Sequence, residues 1–286
     1  MSMASAWQAK AQAPDKLPVV ATFSVLADFA SNVGGERIEV AALVGPNGDT
    51  HVYQPKPADA KELGAARLIV VNGLGLEGWI DRLIKASGAK APVIVATKGI
   101  KPQQMREEGR VGLDPHAWQS IADAKIYVAN IRDGLIAADP EGASAYRANA
   151  NSYLGKLDAL EKEVTAEIGK IPPGRRQIIT THDAFGYFGT AYGFRFIAPE
   201  GVSTETEASA RDVAKIIRQI KAQKIPAVFL ENVTDPRLMR SIAAESGATV
   251  GGTLYSDALS PPNGPASTYV DMMRNNVREL AAALAN

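Results

Sequence analysis

The sequence predicts an α/β protein of two lobes, each a parallel sheet with flanking helices, joined by one long rigid linker helix. Three observations carry that prediction. Runs of β-branched residues alternate with amphipathic runs in both halves, as in successive βαβ units. A long stretch without proline in the middle of the chain keeps helical periodicity from end to end. The chain's three histidines, His51, His116 and His182, each fall in a short polar loop just beyond a strand or at the mouth of a helix, where open parallel sheets bind ligands.

The first half opens with a β-rich run from Leu17 to Phe23. Ser24 is expected to cap a helix that ends near Gly34-Gly35. Ile38 to Val44 reads as a second strand, and Gly45-Pro46-Asn47-Gly48 as a turn leading to His51. Pro55 and Pro57 start a short helix, Leu68 to Val71 is a third, fully buried strand, Trp79 to Ala86 suits a helix and Pro92 to Ala96 a fourth strand. In the second half Gln177 to Thr181 reads as a strand, Ala184 to Tyr192 and Ala208 to Lys221 as helices, Ala227 to Leu230 as a strand and Pro236 to Ala244 as a helix. Between the halves, Tyr146, Tyr153, Leu157, Leu160, Val164 and Ile168 recur at spacings of three, four and seven, which makes one amphipathic helix from Ala143 to Lys170, closed by Ile171-Pro172-Pro173-Gly174. At 1.5 Å per residue it would span roughly 40 Å. The expected division is residues 17–142 for the first lobe, 143–170 for the linker and 171–286 for the second lobe.

Composition narrows the function classes. Thirty-one basic against 31 acidic residues among 286 give no net charge, so nothing steers the chain toward nucleic acid or anionic lipid. No run approaches the 18 or so apolar residues of a membrane span. With no cysteine, disulfides, thiolate zinc sites, iron–sulfur clusters and a lipid-bearing amino-terminal thiol are excluded for this sequence. Ala11-Gln12-Ala13 has the small-x-small form of a signal-peptidase site, which points to the stump of an export signal and a periplasmic location.

A fourth loop of the same kind, Tyr255-Ser256-Asp257-Ala258, carries a carboxylate. Three imidazoles and one aspartate suit a single transition-metal ion, with zinc the best fit. His51 and His116 belong to the first lobe and His182 and Asp257 to the second, so one ion would close the cleft between them. Four protein ligands leave no open position for an activated water, the arrangement of a storage, structural or carrier site rather than of a catalyst. Asp114, Asp183, Glu205, Glu207 and Glu231 are candidates to orient the imidazoles through their other ring nitrogens.

Gly73-Leu74-Gly75-Leu76-Glu77-Gly78 is formally a dinucleotide-binding G-x-G-x-x-G. The acidic residue expected about 20 positions on is missing, since Ala96-Thr97-Lys98 stands there, and the glycines read as turn-formers. Trp79, Trp118 and Tyr187 read as lobe core or cleft wall, and Arg175-Arg176 as solvated surface.

Gly48-Asp49-Thr50-His51-Val52-Tyr53-Gln54-Pro55, Asn72-Gly73-Leu74-Gly75-Leu76-Glu77, Asp114-Pro115-His116-Ala117-Trp118, Thr181-His182-Asp183-Ala184-Phe185-Gly186-Tyr187-Phe188 and Tyr255-Ser256-Asp257-Ala258-Leu259 resemble the signature segments of the zinc/manganese substrate-binding proteins of ABC transporters. The resemblance extends over nearly the whole chain after residue 17. It implies two α/β lobes on a rigid helix, a non-enzymatic receptor that delivers Zn2+ (or Mn2+) to a membrane permease, a monomer, a metallochaperone as a further candidate partner, and ligand positions at His51, His116, His182 and Asp257. Two features stand apart from parts of that family. The histidine-rich loop of many zinc-specific members is replaced by Lys101 to Gly112, with Gln103, Gln104, Glu107 and Glu108 and no histidine. The third ligand position, often glutamate in manganese-preferring members, is His182, which softens the site toward zinc. Readings from other classes are a zinc hydrolase, with Glu205 or Glu207 recruited as base, and a metal-binding adhesin.

Overall fold

The computed structural model describes residues 16–107, 110–205 and 207–285; Ala11-Gln12-Ala13 lies outside them. The first lobe alternates β1 (Leu17–Phe23), α1 (Ser24–Gly34), β2 (Ile38–Val44), α2 (Pro57–Ala65), β3 (Leu68–Val71), α3 (Ile80–Ser87) and β4 (Val93–Val95). An antiparallel hairpin, β5 (Gln104–Glu107) with β6 (Arg110–Leu113), and the helix α4 (Ile121–Ala138) complete it. Then come α5 (Ala143–Gly169), β7 (Gln177–Ile179), α6 (Gly186–Tyr192), β8 (Arg195–Ile197), α7 (Ala210–Gln223), β9 (Ala227–Glu231), α8 (Pro236–Ser246), β10 (Thr249–Leu254) and α9 (Tyr269–Leu284).

Two four-stranded sheets result, ordered β2-β1-β3-β4 and β10-β9-β7-β8, with every pairing parallel. Counted from its own first strand, each sheet has the order 2-1-3-4, so both lobes share one topology. In each, the order reverses between strands one and three, the crevice where a parallel sheet accepts ligands. β1 and β3 bury almost every residue, as strands covered on both faces by helices must.

Local chemistry sets the ends of the helices. The side chains of Ser120, Ser209, Asp235 and Thr268 accept the first free backbone N–H groups of α4, α7, α8 and α9. Gly88, Gly193 and Gly247 take positive φ just past α3, α6 and α8, a conformation without steric cost for glycine. Ser24 departs from the expected cap. It lies inside α1, and its hydroxyl accepts the backbone N–H of Leu259 at 2.9 Å.

The linker α5 has 27 residues and buries Tyr146, Tyr153, Leu157, Leu160, Val164 and Ile168, the stripe expected from periodicity. Its first half is tied to the first lobe, where Asn149 donates to the Val33 carbonyl and Tyr153 to Asp28; its second half is tied to the other, where Glu161 accepts from Tyr192 and Glu163 pairs with Arg274. The expectation that Arg175-Arg176 is solvated surface is corrected. Both are half-buried, and the Arg176 guanidinium donates to the Ile168 and Ile171 carbonyls at the exit of α5, groups that a helix end leaves unpaired. One hydrophobic core runs through the first lobe, along α5 and into the inner face of the second; a small separate cluster of Ile216, Ile220, Val228, Met239 and Ile242 lies under α7 and α8. Among the described residues no helix is long and apolar enough to cross a membrane.

Candidate metal centre

Four loops deliver His51, His116, His182 and Asp257 to one point between the lobes, with one ligand-type atom from each lying within 4.8 Å of all the others. Each loop is held by its own neighbours. His51 ends an Asp-x-His turn in which Asp49 Oδ1 accepts the His51 N–H at 2.9 Å, and Trp79 Nε1 donates to the Thr50 carbonyl at 2.8 Å. His116 ends a second one, where Asp114 Oδ1 accepts the His116 N–H at 2.9 Å and also meets Nδ1 at 2.8 Å. His182 follows β7, and Glu231 at the end of β9 reaches across the crevice. Its Oε1 accepts the N–H groups of Thr181 and His182 at 2.7 and 3.0 Å, and its Oε2 lies 2.6 Å from His182 Nδ1. Asp257 follows β10.

The inward atoms are Nε2 of each imidazole and both oxygens of the aspartate. His51 and His116 bring Nε2 to 3.2 Å from each other; Asp257 Oδ2 lies 3.3 Å from His51 and 3.1 Å from His182, and Oδ1 lies 3.5 Å from His116. His116, His182 and Asp257 are fully buried, and His51 is 8% exposed. A cavity of about 340 Å³ opens onto His51, walled by Leu74, Leu76, Met105, Leu113, Pro115 and Val202.

The electrostatics are those of an unbalanced buried cluster. Burial opposes the charged form of His182, but Glu231 and Asp257 outweigh it and hold the imidazole well above its ordinary range. Burial likewise opposes ionised Asp257, and His182 and His116 outweigh it and hold the carboxyl well below the usual carboxylate range. Yet Asp257 Oδ1 has no hydrogen-bond partner among the described residues, and a buried carboxylate oxygen without one is costly. Imidazole nitrogens crowded around it describe a place for a cation.

Of the candidates to orient the imidazoles, Asp114 bonds His116 Nδ1 and Glu231 Oε2 lies 2.6 Å from His182 Nδ1; no hydrogen bond among the described residues links Asp183, Glu205 or Glu207 to the three rings. Asp49 was not singled out by sequence reasoning, although the repeated Asp-x-His spacing of Asp49-Thr50-His51 and Asp114-Pro115-His116 was there to be seen. The glycine run is the turn it was expected to be. Gly73, Leu74 and Gly75 all have positive φ, and the turn wraps the Glu77 carboxylate, which accepts the N–H groups of Asn72 and Gly73 and the Thr22 hydroxyl. The amides at the entrance of the turn are thereby taken. Trp79, Trp118 and Tyr187 are buried, as expected of core and cleft wall.

Residues 19–283 match the family described as zinc-uptake complex component A, periplasmic. The chain belongs to this family. It is 34% identical over 269 residues to a manganese-binding lipoprotein of Halalkalibacterium halodurans, with 94% of this chain and 89% of the relative covered. It is 35% identical over 267 residues to an iron-binding protein of Yersinia pestis, with 93% and 86% covered. Among solved structures, the periplasmic zinc-binding protein TroA from Treponema pallidum superposes with a TM-score of 0.89 at 31% identity over 95% of this chain and 100% of that one. A manganese-bound periplasmic metal-binding protein from candidatus Liberibacter asiaticus gives 0.84 at 31% identity, over 94% and 99%. Family membership makes the chain an extracytoplasmic metal-binding receptor of an ABC transporter, with the membrane permease as its partner, and sets aside the hydrolase reading.

Proposed function

We propose that His51, His116, His182 and Asp257 are the ligands of one zinc ion, carried as cargo to the permease, and that the chain is divided as 17–142, 143–170 and 171–286 and works as a monomer. The observation that carries the reading is the spacing of the donors. An ion held tetrahedrally at about 2.0–2.1 Å puts its donors about 3.3–3.4 Å apart; here three separations are 3.2, 3.3 and 3.1 Å, a fourth is 3.5 Å through the other Asp257 oxygen, and one donor from each residue lies within 4.8 Å of all the others. Three imidazoles among the donors favour zinc over harder ions.

Manganese as cargo is the second reading. Both Asp257 oxygens face the imidazoles, which offers a fifth donor to an ion that accepts more ligands and more oxygen than zinc. Offering equal zinc and manganese to the metal-stripped protein and measuring the bound metal separates the two. One zinc per chain is expected, and manganese in its place overturns the assignment. His182→Ala should weaken zinc binding by about 100-fold or more, as expected when one of four ligands is removed. Because only neutral imidazole ligates, with an ordinary pKa of about 6.5 that Glu231 and Asp257 raise further at His182, affinity should fall as pH drops from above neutrality toward 5; equal affinities at pH 5 and 7.5 by titration calorimetry would count against histidine ligation.

A further inference from the structure

Asp257 is the ligand least supported by its own side chain. Its oxygens meet imidazoles, Oδ1 has no hydrogen-bond partner among the described residues, and its position is therefore inherited from the backbone on either side. That backbone belongs in sequence to the second lobe, and the second lobe does hold it: Asn276 pairs with both the N–H and the carbonyl of Tyr255, and Asn232 accepts the Ser256 N–H and donates to the Ala258 carbonyl. The first lobe holds it as well. Trp118 Nε1 and Gln119 Nε2 both donate to the Ser256 carbonyl, at 2.8 and 2.7 Å, one residue before the ligand. Two residues after it, Leu259 donates to the Ser24 hydroxyl and accepts the Asn47 N–H, each at 2.9 Å.

Trp118 and Gln119 are fully buried, so water has no access to replace either bond. Trp118 is fixed in turn: its carbonyl accepts the Tyr269 hydroxyl at 2.7 Å, and its ring meets those of Phe23 at 4.9 Å and His116 at 5.3 Å between centroids. The indole that packs on one imidazole thus also ties down the loop of the carboxylate opposite.

Building on the metal-site reading, we infer that Trp118 and Gln119 are positioning residues for Asp257, which hold its loop against the first lobe through the Ser256 carbonyl and thereby slow the escape of the captured ion. For the carboxylate to withdraw from the ion, the Ser256 carbonyl must leave both donors, of which Gln119 Nε2 has only the longer contact to the Tyr255 carbonyl, at 3.4 Å, to fall back on. Entry of the ion past His51 does not require that movement, so capture and release are set by different parts of the site.

The test uses the whole chain and zinc alone. Release is timed by stopped-flow mixing of the loaded protein with a chelator, for the wild type, Trp118→Phe, Gln119→Met and Val128→Ala. Trp118→Phe keeps an aromatic ring and loses the donor; Gln119→Met keeps the volume and loses the donor; Val128, fully buried in α4, controls for loosened packing. Each donor variant should release zinc about fivefold faster, the worth of one net hydrogen bond, with capture within about twofold of wild type. Val128→Ala should melt earlier and release at the wild-type rate. Wild-type release from both donor variants overturns the inference, as does equal acceleration in Val128→Ala, while the metal-site reading stands as long as the wild type binds one zinc. Gln119→Met alone decides if Trp118→Phe does not fold, and a wild type that takes up no zinc overturns both.

Discussion

The two lobes share a topology and place a buried glutamate carboxylate in the equivalent crevice, from the turn beyond β3 in one and from the last residue of β9 in the other, yet the two glutamates do different things. In the first lobe Glu77 fills the crevice between β1 and β3 and accepts the N–H groups of Asn72 and Gly73 and the Thr22 hydroxyl. In the second, Glu231 fills the crevice between β7 and β9, and accepts the N–H groups of Thr181 and His182 while its other oxygen faces His182 Nδ1. One carboxylate closes a turn; the other orients a metal-type ligand. The first lobe, its crevice occupied, presents His51 from the loop after β2 and His116 from beyond the hairpin. Fold topology marks where a ligand group can sit, and the side chain at the strand end decides whether one does.

The sharpest way to break this comparison is to neutralise each glutamate. Glu231→Gln should lower zinc affinity toward the upper end of the 10- to 100-fold range typical of groups that orient a metal ligand. Glu77→Gln should leave affinity within about twofold and lower stability by about 1–3 kcal/mol, since a carboxamide cannot accept all three bonds. Titration calorimetry and chemical denaturation on both variants decide it. Burial pushes the Glu77 carboxyl up despite those hydrogen bonds, so the wild type gains stability as pH falls and the variant does not, and the stability loss should grow toward low pH. Affinity loss in both variants, or in neither, would erase the distinction between the crevices.

A smaller effect separates the two Asp-x-His turns. Asp114 touches both the backbone N–H and Nδ1 of His116, whereas Asp49 holds the His51 N–H with one oxygen and the Thr204 hydroxyl with the other. Asp114→Asn should therefore cost about tenfold in zinc affinity. Asp49→Asn, which retains an acceptor for the backbone, should cost no more than about threefold. The reverse order would show that the anchor of the less deeply buried imidazole matters more than the charge behind the fully buried one.

Much of this was legible beforehand because the residues concerned report on themselves. Scarce histidines after strands, the Tyr-Ser-Asp-Ala loop and the linker's apolar stripe each carry a local signal. What was not legible depends on partners far away in sequence. β10 was not assigned, since Gly251 and Gly252 give it the look of a loop; a Cβ on Gly251 would lie 2.4 Å from the Phe229 ring, so glycine there serves strand packing. α4 was not assigned either. Its buried face includes Ala124 and Gly134, the latter pressed against Ile94, and small residues blur an apolar stripe. Asp114 could be read as local to His116, while Glu231 was one of five equal candidates because its 49-residue separation from His182 hides the contact.

A half-buried acid outside both crevices joins the lobes. Asp28 in α1 accepts the Tyr269 N–H at the start of α9 at 3.1 Å, the Tyr153 hydroxyl of α5 at 3.2 Å and the Asn32 amide at 3.2 Å. Burial outweighs these bonds and lifts its carboxyl from 3.8 to about 6. The folded state therefore binds the Asp28 proton more tightly than the unfolded chain does. Its contribution to stability is full below about pH 3.8 and is lost as pH rises through about 6. At about 1.4 kcal/mol per pKa unit the loss is on the order of 2–3 kcal/mol. Asp28→Asn mimics the neutral form and should flatten this part of the profile, while differing from wild type by only about 1 kcal/mol at pH 7, where lost acceptor strength offsets the relieved burial of charge. Denaturation midpoints at half-unit steps from pH 4 to 7 measure it. Because α1 and α9 belong to opposite lobes and Tyr153 to the linker, an unchanged slope would mean that the junction is wetter than its burial implies, and that the two lobes are less firmly joined there than at the Ser256 carbonyl.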